Sequence, residues 1–206
     1  MRRAFHIFRI VFICFVFLLQ LSVSNAQDTI YLPNDTSLWT TGPKLVFIAN
    51  SIAETNEDGK VISGFIKETQ YIWTATRLIK FKASSQIQFD TKGNVILGIL
   101  TDNIELRTAG GFVFFMKDKE IRLNEKGKVI EAYILRNILF KSKTKEIMFK
   151  AGSFIRFDSI GNVQYGTIAE RQRFDCNNGE NRAFSVGSTI EFDKEFKVII
   201  EDKETN

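Results

Sequence analysis

The stretch IQFDTKGNVILGIL, from Ile87 to Leu100, contains two apolar segments separated by a short polar turn. Related stretches follow at steps of 34 residues: IRLNEKGKVIEAYI begins at Ile121 and IRFDSIGNVQYGTI begins at Ile155. A shorter version, IEFDKEFKVII, begins at Ile190. Self-similarity at a fixed period of this length is typical of repeat proteins. The sequence therefore predicts that much of the chain is one hairpin repeated.

Five columns of equivalent residues recur at this 34-residue step from about residue 31 to the end. In three of the columns the last step is 35 residues. We interpret residues 27–206 as a single β-repeat domain of about five 34-residue units. The columns are Phe47, Phe81, Phe115, Phe149 and Phe184; Gly59, Gly93, Gly127, Gly161 and Phe196; Val61, Val95, Val129, Val163 and Val198; Leu32, Ile66, Leu100, Ile134 and Ile168; and Leu38, Ile72, Leu106, Phe140 and Phe174.

The repeated element Phe-Asp-x-x-Gly-Asn-Val has the composition of a hairpin turn. An Asp or Asn side chain, such as Asp90 or Asp158, can accept backbone hydrogen bonds, and glycine adopts the positive φ that such turns require. A second, weaker turn is predicted at TAGG (108–111), SKTK (142–145) and NNGEN (177–181). No segment shows a helical period with caps, so the fold class predicted is all-β.

Long extended segments join these turns and carry Ala-Gly-Ser or Lys-Asp-Lys at their centres, where we expect a bend. Two architectures fit this pattern. The hairpins can lie side by side as an antiparallel meander, or each unit can form one coil of a β-solenoid. The tight glycine turns favour the antiparallel β-hairpin meander, because parallel strands need longer connections.

In its turn and flanking residues, each unit resembles the MORN-type hairpin repeats of bacterial proteins. The shared element is an aromatic residue followed by polar residues, a glycine and an apolar residue, as in FDTKGNV from Phe89 to Val95. The unit is longer than that of MORN repeats and lacks their second glycine and their tyrosine positions. The resemblance implies a scaffold or binding surface without catalytic residues.

Residues 1–26 have the pattern of a secretory signal peptide: basic residues, an apolar run and a small-residue ending at Ala26. Removing them takes away the single histidine, His6, and lowers the net charge from +4 to +1 by removing Arg2, Arg3 and Arg9. We therefore expect a secreted, periplasmic or other bacterial cell-envelope protein with no membrane span after cleavage and no nucleic-acid partner. No cofactor is indicated.

The sequence offers weak candidates for chemistry. Asp90 and Asp158 recur once per unit, which favours turn formation over a catalytic pair or a metal site. Cys176 is the one cysteine after residue 26, and its polar neighbours leave open an exposed, reactive thiol, although an inert cysteine is favoured. We expect no catalytic residue and no metal ligand.

The tryptophans Trp39 and Trp73 occupy the same position in adjacent units. They follow core-type positions, which favours an outward direction, where they and the nearby Tyr31 and Tyr71 could form an aromatic platform for a ligand. The alternative is that the indoles cap the open end of the core.

We therefore expect an exported, non-catalytic module that is structural or binds a polysaccharide or another envelope protein. The alternatives are a carbohydrate-active hydrolase that uses carboxylates and a small outer-membrane β-barrel.

Overall fold

The computed structural model describes residues 28–141 and 145–200, and the regular elements in these ranges are β-strands. The all-β prediction is confirmed. No helix in these ranges is long and apolar enough to cross a membrane. The predicted signal peptide and the centre of the SKTK turn lie outside the described residues.

Within residues 28–141 and 145–200, twenty strands follow one another with short connections. Their bounds are β1 Asp28–Leu32, β2 Thr36–Trp39, β3 Lys44–Phe47, β4 Ser51–Thr55, β5 Val61–Ile66, β6 Gln70–Trp73, β7 Leu78–Phe81, β8 Ser85–Phe89, β9 Val95–Ile99, β10 Ile104–Thr108, β11 Gly111–Phe115, β12 Glu120–Leu123, β13 Val129–Tyr133, β14 Ile138–Lys141, β15 Glu146–Phe149, β16 Phe154–Phe157, β17 Val163–Thr167, β18 Gln172–Asp175, β19 Asn181–Phe184 and β20 Thr189–Glu191.

Ten of these strands form one antiparallel sheet, which we name the main sheet. Its order is β1-β4-β5-β8-β9-β12-β13-β16-β17-β20, so each unit contributes a hairpin that pairs with the hairpins of its neighbours. The glycine turns close these hairpins, and each closure carries a register shift, as between Gln88 and Phe89. The antiparallel meander is confirmed, and the solenoid alternative is wrong.

The other strands form five two-stranded hairpins, which we name the hairpin layer: β2–β3, β6–β7, β10–β11, β14–β15 and β18–β19. Each of the first four hairpins joins the main sheet through a backbone bridge, as between Phe81 and Leu100, whereas the chain after the fifth hairpin pairs with the C-terminal segment through Cys176 and Val198. The chain folds back at these points, and the hairpins pack over one face of the main sheet. Each unit therefore adds two strands to the main sheet and one hairpin above it.

The fold-back occurs at the predicted bend and depends on a second periodic column. Residues with positive φ stand at this point in each unit: Asn50, Ser84, Asp118, Gly152 and Gly187. Side chains of four units close the bend by accepting a backbone N–H from 14 residues further on: Asp35, Thr69, Asn103 and Asn137. Small and polar residues are thus required where the two layers meet.

The core lies between the two layers. The phenylalanines at the ends of the hairpins, Phe47, Phe81, Phe115 and Phe149, are completely buried. Opposite them, in the main sheet, stand small residues at the same 34-residue step: Gly64, Gly98, Ala132 and Gly166. A Cβ atom added at Gly98 would lie 2.5 Å from the Phe81 ring. The phenylalanine rings therefore occupy the space that glycine leaves free, which sets the separation of the layers.

The loops of the hairpin layer rest on the glycine turns of the main sheet. The Thr41 hydroxyl donates to the backbone oxygen of Asp90 at 2.9 Å, and a Cβ atom at Gly93 would lie 2.4 Å from the Gly42 Cα atom. Gly93 is thus required both for its φ of 83° and for this close approach. Equivalent approaches place Thr76 against Gly127 and Ala109 against Gly161, so such contacts fix the first three hairpins above the main sheet.

Candidate functional site

The outward surface of the hairpin layer follows from strand alternation. In β6 and β7, Ile72 and Ile79 point into the core and pair with each other, while Tyr71 and Trp73 point outward. The cross-strand pairs Tyr71–Lys80 and Trp73–Leu78 place these four side chains together on the outer side. The same alternation holds in the neighbouring hairpins.

Both tryptophans lie on this outer surface. Trp39 is 62% exposed and Trp73 is 59% exposed, and neither belongs to the core. They stand at the same position of adjacent hairpins, at the ends of β2 and β6. The expected outward direction is confirmed. The end-cap interpretation is wrong, because a cap would bury the indoles against the core.

The two tyrosines of the predicted platform lie on opposite sides of the molecule. Tyr71 is 65% exposed beside Trp73. Tyr31 is 63% exposed, but it lies on β1 of the main sheet, opposite Ile52, and its hydroxyl donates to Asn50 Oδ1 at 3.0 Å. The structure therefore brings Trp39, Trp73 and Tyr71 to one surface and leaves Tyr31 out of it.

Apolar side chains that the sequence analysis did not single out extend this surface. Leu78, Phe112 and Leu139 are exposed, while Phe114 and Met148 are half-buried beside them. We name the outward surface of the first four hairpins the aromatic face. Several large apolar side chains exposed on one surface mark a candidate binding site. The signal was present in the sequence, because these residues alternate along their strands with the buried residues Ile79, Val113, Phe140 and Ile147.

Cations lie among the rings of the aromatic face. Lys44 pairs across strands with Trp39, and Arg107 pairs with Phe112. The Lys80 amino group lies 5.6 Å from the Tyr71 ring centroid. Among the described residues, none of these three cations forms an ion pair with a carboxylate. The aromatic face is therefore both apolar and electropositive.

The opposite side of the molecule, the outer surface of the main sheet, has a different character. Its arginines are neutralised: Arg122 contacts Glu131 at 3.1 Å, and Arg156 contacts Glu191 at 2.6 Å. Its ring contacts include Tyr133 against Phe154 at 5.5 Å between centroids. Tyr31 and Ile52 form an exposed apolar patch near the β1 edge.

A groove of about 430 Å³ lies along the turn edge of the main sheet. Four carboxylate residues line it: Glu57, Asp58, Asp90 and Glu125. Asp90 is committed to its turn, because its Oδ1 accepts from two backbone N–H groups and its Oδ2 accepts from the Asn94 amide at 2.9 Å. The groove is acidic, in contrast to the aromatic face.

The first residue of each glycine turn has the structural role that its recurrence predicted. Asp158 Oδ1 accepts from the backbone N–H groups of residues 160, 161 and 162, and Asp193 accepts equivalent bonds in the last turn. Burial alone would raise the pKa of Asp158, but the hydrogen bonds from the Asn162 side chain and from these backbone groups outweigh it and hold the pKa below its ordinary value. The four predicted turn glycines, Gly59, Gly93, Gly127 and Gly161, all have positive φ.

Cys176 is 1% exposed and lies in the core. Its thiol contacts the backbone oxygen of Phe174 at 3.8 Å. The alternative of an exposed, reactive thiol is therefore wrong, and burial also keeps this cysteine from an intermolecular disulfide. In the described ranges, no three or more His, Cys, Asp or Glu residues are grouped so that they could hold a metal ion.

Comparison with family models, with curated proteins and with solved structures found no match for this chain. The resemblance of its turns to MORN-type repeats therefore remains a resemblance of the turn element alone.

Proposed function

We propose that the chain is an exported, non-catalytic β-repeat protein that serves as a binding or structural module of a bacterial cell envelope, and that the aromatic face contacts its partner. The observation that carries this proposal is the outward position of Trp39, Tyr71 and Trp73 on adjacent hairpins. Burying a large aromatic side chain is strongly favourable, and exposing several together is costly unless a partner covers them.

The fold supports this role in a second way. The aromatic face is carried by strands that the phenylalanine core holds against the main sheet, so its side chains are positioned before a partner arrives. A preorganised surface loses little conformational entropy on binding. Repetition extends the surface along the molecule, which suits an elongated partner.

A co-sedimentation experiment with isolated cell envelopes tests the proposal. The wild-type protein is compared with a Trp39→Ala/Trp73→Ala variant and with Tyr31→Ala, which removes an equally exposed aromatic residue from the opposite side. We expect the wild type and Tyr31→Ala to sediment with the envelopes, and the double variant to lose about tenfold or more in affinity. Equal sedimentation of all three proteins would contradict the role of the aromatic face.

The second candidate function is a carbohydrate-active hydrolase, which the acidic groove favours. Glu57, Asp58 and Glu125 could supply the acid and base of such a reaction, whereas Asp90 is held by its turn. Release of reducing ends from a polysaccharide panel measures this activity. If Glu57→Gln and Glu125→Gln abolish a measurable release, the non-catalytic proposal is wrong.

A further inference from the structure

We infer that the partner of the aromatic face is an acidic polysaccharide, a polymer of sugar rings that carries carboxylates at regular intervals. This inference rests on the proposed function and adds the chemical class of the ligand. Three properties of the face support it: its exposed rings, its unpaired cations and the regular spacing of the units.

The rings suit the faces of sugars. Trp39, Trp73 and Tyr71 present flat apolar surfaces with a polar edge, and such side chains contact the C–H faces of pyranose rings while leaving the hydroxyls hydrated. A flat protein partner would also cover these rings. The spacing and charge of the face favour the polysaccharide.

The spacing follows from the main sheet. Each unit adds two strands to it, and antiparallel strands lie about 4.8 Å apart, so equivalent side chains of adjacent units recur at about 9 to 10 Å. Trp39 and Trp73 are separated by one such step. This step is close to the length of a disaccharide, so successive units can contact every second sugar of an extended chain.

The charge selects an acidic polymer. Across the first three hairpins, the outward strand positions hold Lys44, Lys80 and Arg107 against one carboxylate, Glu105. Arg136 adds a fourth positive charge, with its guanidinium 4.6 Å from the Phe114 ring centroid. Opposite charges attract a polyanion to this surface, and the cations lie close enough to the rings to contact carboxylates of a sugar chain stacked there.

The contrast with the other side of the molecule strengthens the inference. The main-sheet arginines Arg122 and Arg156 each have a carboxylate partner, so their charge is already neutralised. On the aromatic face, Lys44, Lys80 and Arg107 have no carboxylate partner among the described residues, and they share that surface with the exposed indoles. An acidic ligand is therefore expected on that side and not on the main-sheet side.

The experiment compares one polymer in two charge states: polygalacturonate and its highly methyl-esterified form, titrated against the full chain and followed by tryptophan fluorescence. At about 20 mM salt, where screening is weak, we expect polygalacturonate to bind about tenfold or more tightly than the esterified form. Raising the salt is expected to reduce the difference. Alginate and hyaluronate serve as further acidic probes, and single-stranded DNA serves as a polyanion without sugar-face stacking.

Two pairs of variants locate the site. Arg107→Gln is expected to weaken polygalacturonate binding about twofold to fivefold and to leave the esterified form unchanged, whereas Arg122→Gln on the main-sheet side leaves both unchanged. Tyr71→Ala is expected to weaken both forms, and Tyr31→Ala neither. All four side chains are substantially exposed, so we expect these variants to fold as the wild type does.

The outcomes separate the two proposals. Equal binding of both charge states overturns the acidic-polymer inference and leaves a binding module for neutral glycans. Tighter binding of single-stranded DNA than of any acidic polysaccharide also overturns it. Failure of all three acidic polymers overturns the inference, and if co-sedimentation with envelopes is also insensitive to Trp39→Ala/Trp73→Ala, the proposed function fails with it.

Discussion

Replacing Gly98 with alanine is expected to destabilise the fold by about 1–3 kcal/mol, because the added methyl group meets the buried Phe81 ring. The new Cβ atom would lie 2.5 Å from Phe81 Cδ1 and 2.8 Å from Cε1. Favourable carbon–carbon contacts lie at about 3.5–4.0 Å, so the ring or the strand must yield by about 1 Å. The ring cannot move freely because it is completely buried, and the strand that carries Gly98, β9, is paired on both sides, with β8 and β12.

The third of the four small residues, Ala132, sets the scale of this cost. Gly98 stands two residues before Leu100, which bridges to Phe81. Ala132 has the equivalent position, two residues before Ile134, which bridges to Phe115. Both Ala132 and Phe115 are buried, so the two layers can accommodate a methyl group at this point. The Gly98→Ala variant is therefore expected to fold with reduced stability.

Urea unfolding followed by circular dichroism measures the change, and a double-mutant cycle with Phe81→Leu identifies its cause. If the methyl clashes with the ring, the smaller leucine relieves the clash, and the double variant is more stable than the sum of the single changes predicts by about 0.5 kcal/mol or more. Wild-type stability of Gly98→Ala, or additivity within about 0.3 kcal/mol, would refute the argument that the ring occupies the glycine space.

Three further predictions concern the turns and bends. Gly152→Ala is expected to lower the free energy of unfolding in urea by about 1 kcal/mol, because the φ of Gly152 is 74° although no atom obstructs the new Cβ. Ser84→Ala is the matched control, because that bend already holds a non-glycine residue. Asn137→Ala is expected to lower the free energy of unfolding by about 1 kcal/mol, because it removes the acceptor of the Ala151 N–H at 2.7 Å. Asn137→Asp keeps an acceptor and should lower it less. Equal losses of stability in the two variants would contradict this role. Because the pKa of Asp158 is lowered in the folded state, its carboxylate contributes stability above about pH 4, and this contribution is lost as the pH falls through the folded-state pKa. Asp158→Asn should therefore lose less stability in acid than the wild type does. Unfolding curves measured across this pH range test the difference.

The sequence predicted the repeat, the turns, the bends and the antiparallel pairing because each of these depends on local chemistry. A turn needs an acceptor such as Asp90 and a residue of positive φ such as Gly93, and both recur visibly. The fifth turn shows how strong this local requirement is, because Phe196 takes the place of glycine and still adopts a φ of 63°.

The two-layer arrangement was not predicted because it depends on how far the chain turns at each bend. The alternation of apolar residues is the same whether a strand continues in the sheet or folds back above it. One periodic signal did encode the second layer: the small residues Gly64, Gly98 and Gly166, with Ala132, leave space for the phenylalanine rings.

The candidate site was predicted in part. Trp39, Trp73 and Tyr71 share a surface, as expected, but Tyr31 does not. The repeat register explains this difference, since Tyr31 aligns with Phe65 of the main sheet, whereas Tyr71 aligns with Ser37 of the hairpin layer. Nearness in sequence was a poor guide: Tyr31 lies 8 positions before Trp39 and Tyr71 lies 2 positions before Trp73, yet the two tyrosines belong to different layers.

Hydroxyl-radical footprinting with mass spectrometry tests the central claim most directly, because it measures the solvent accessibility of individual side chains with and without polygalacturonate. Tyr71 and Tyr31 form an internal comparison, as their exposed fractions are 65% and 63%. We predict that the polymer protects Tyr71, Trp39 and Trp73 from oxidation and leaves Tyr31 unchanged. Protection of Tyr31 with continued oxidation of Tyr71 and both tryptophans would place the ligand on the main-sheet side and contradict the account.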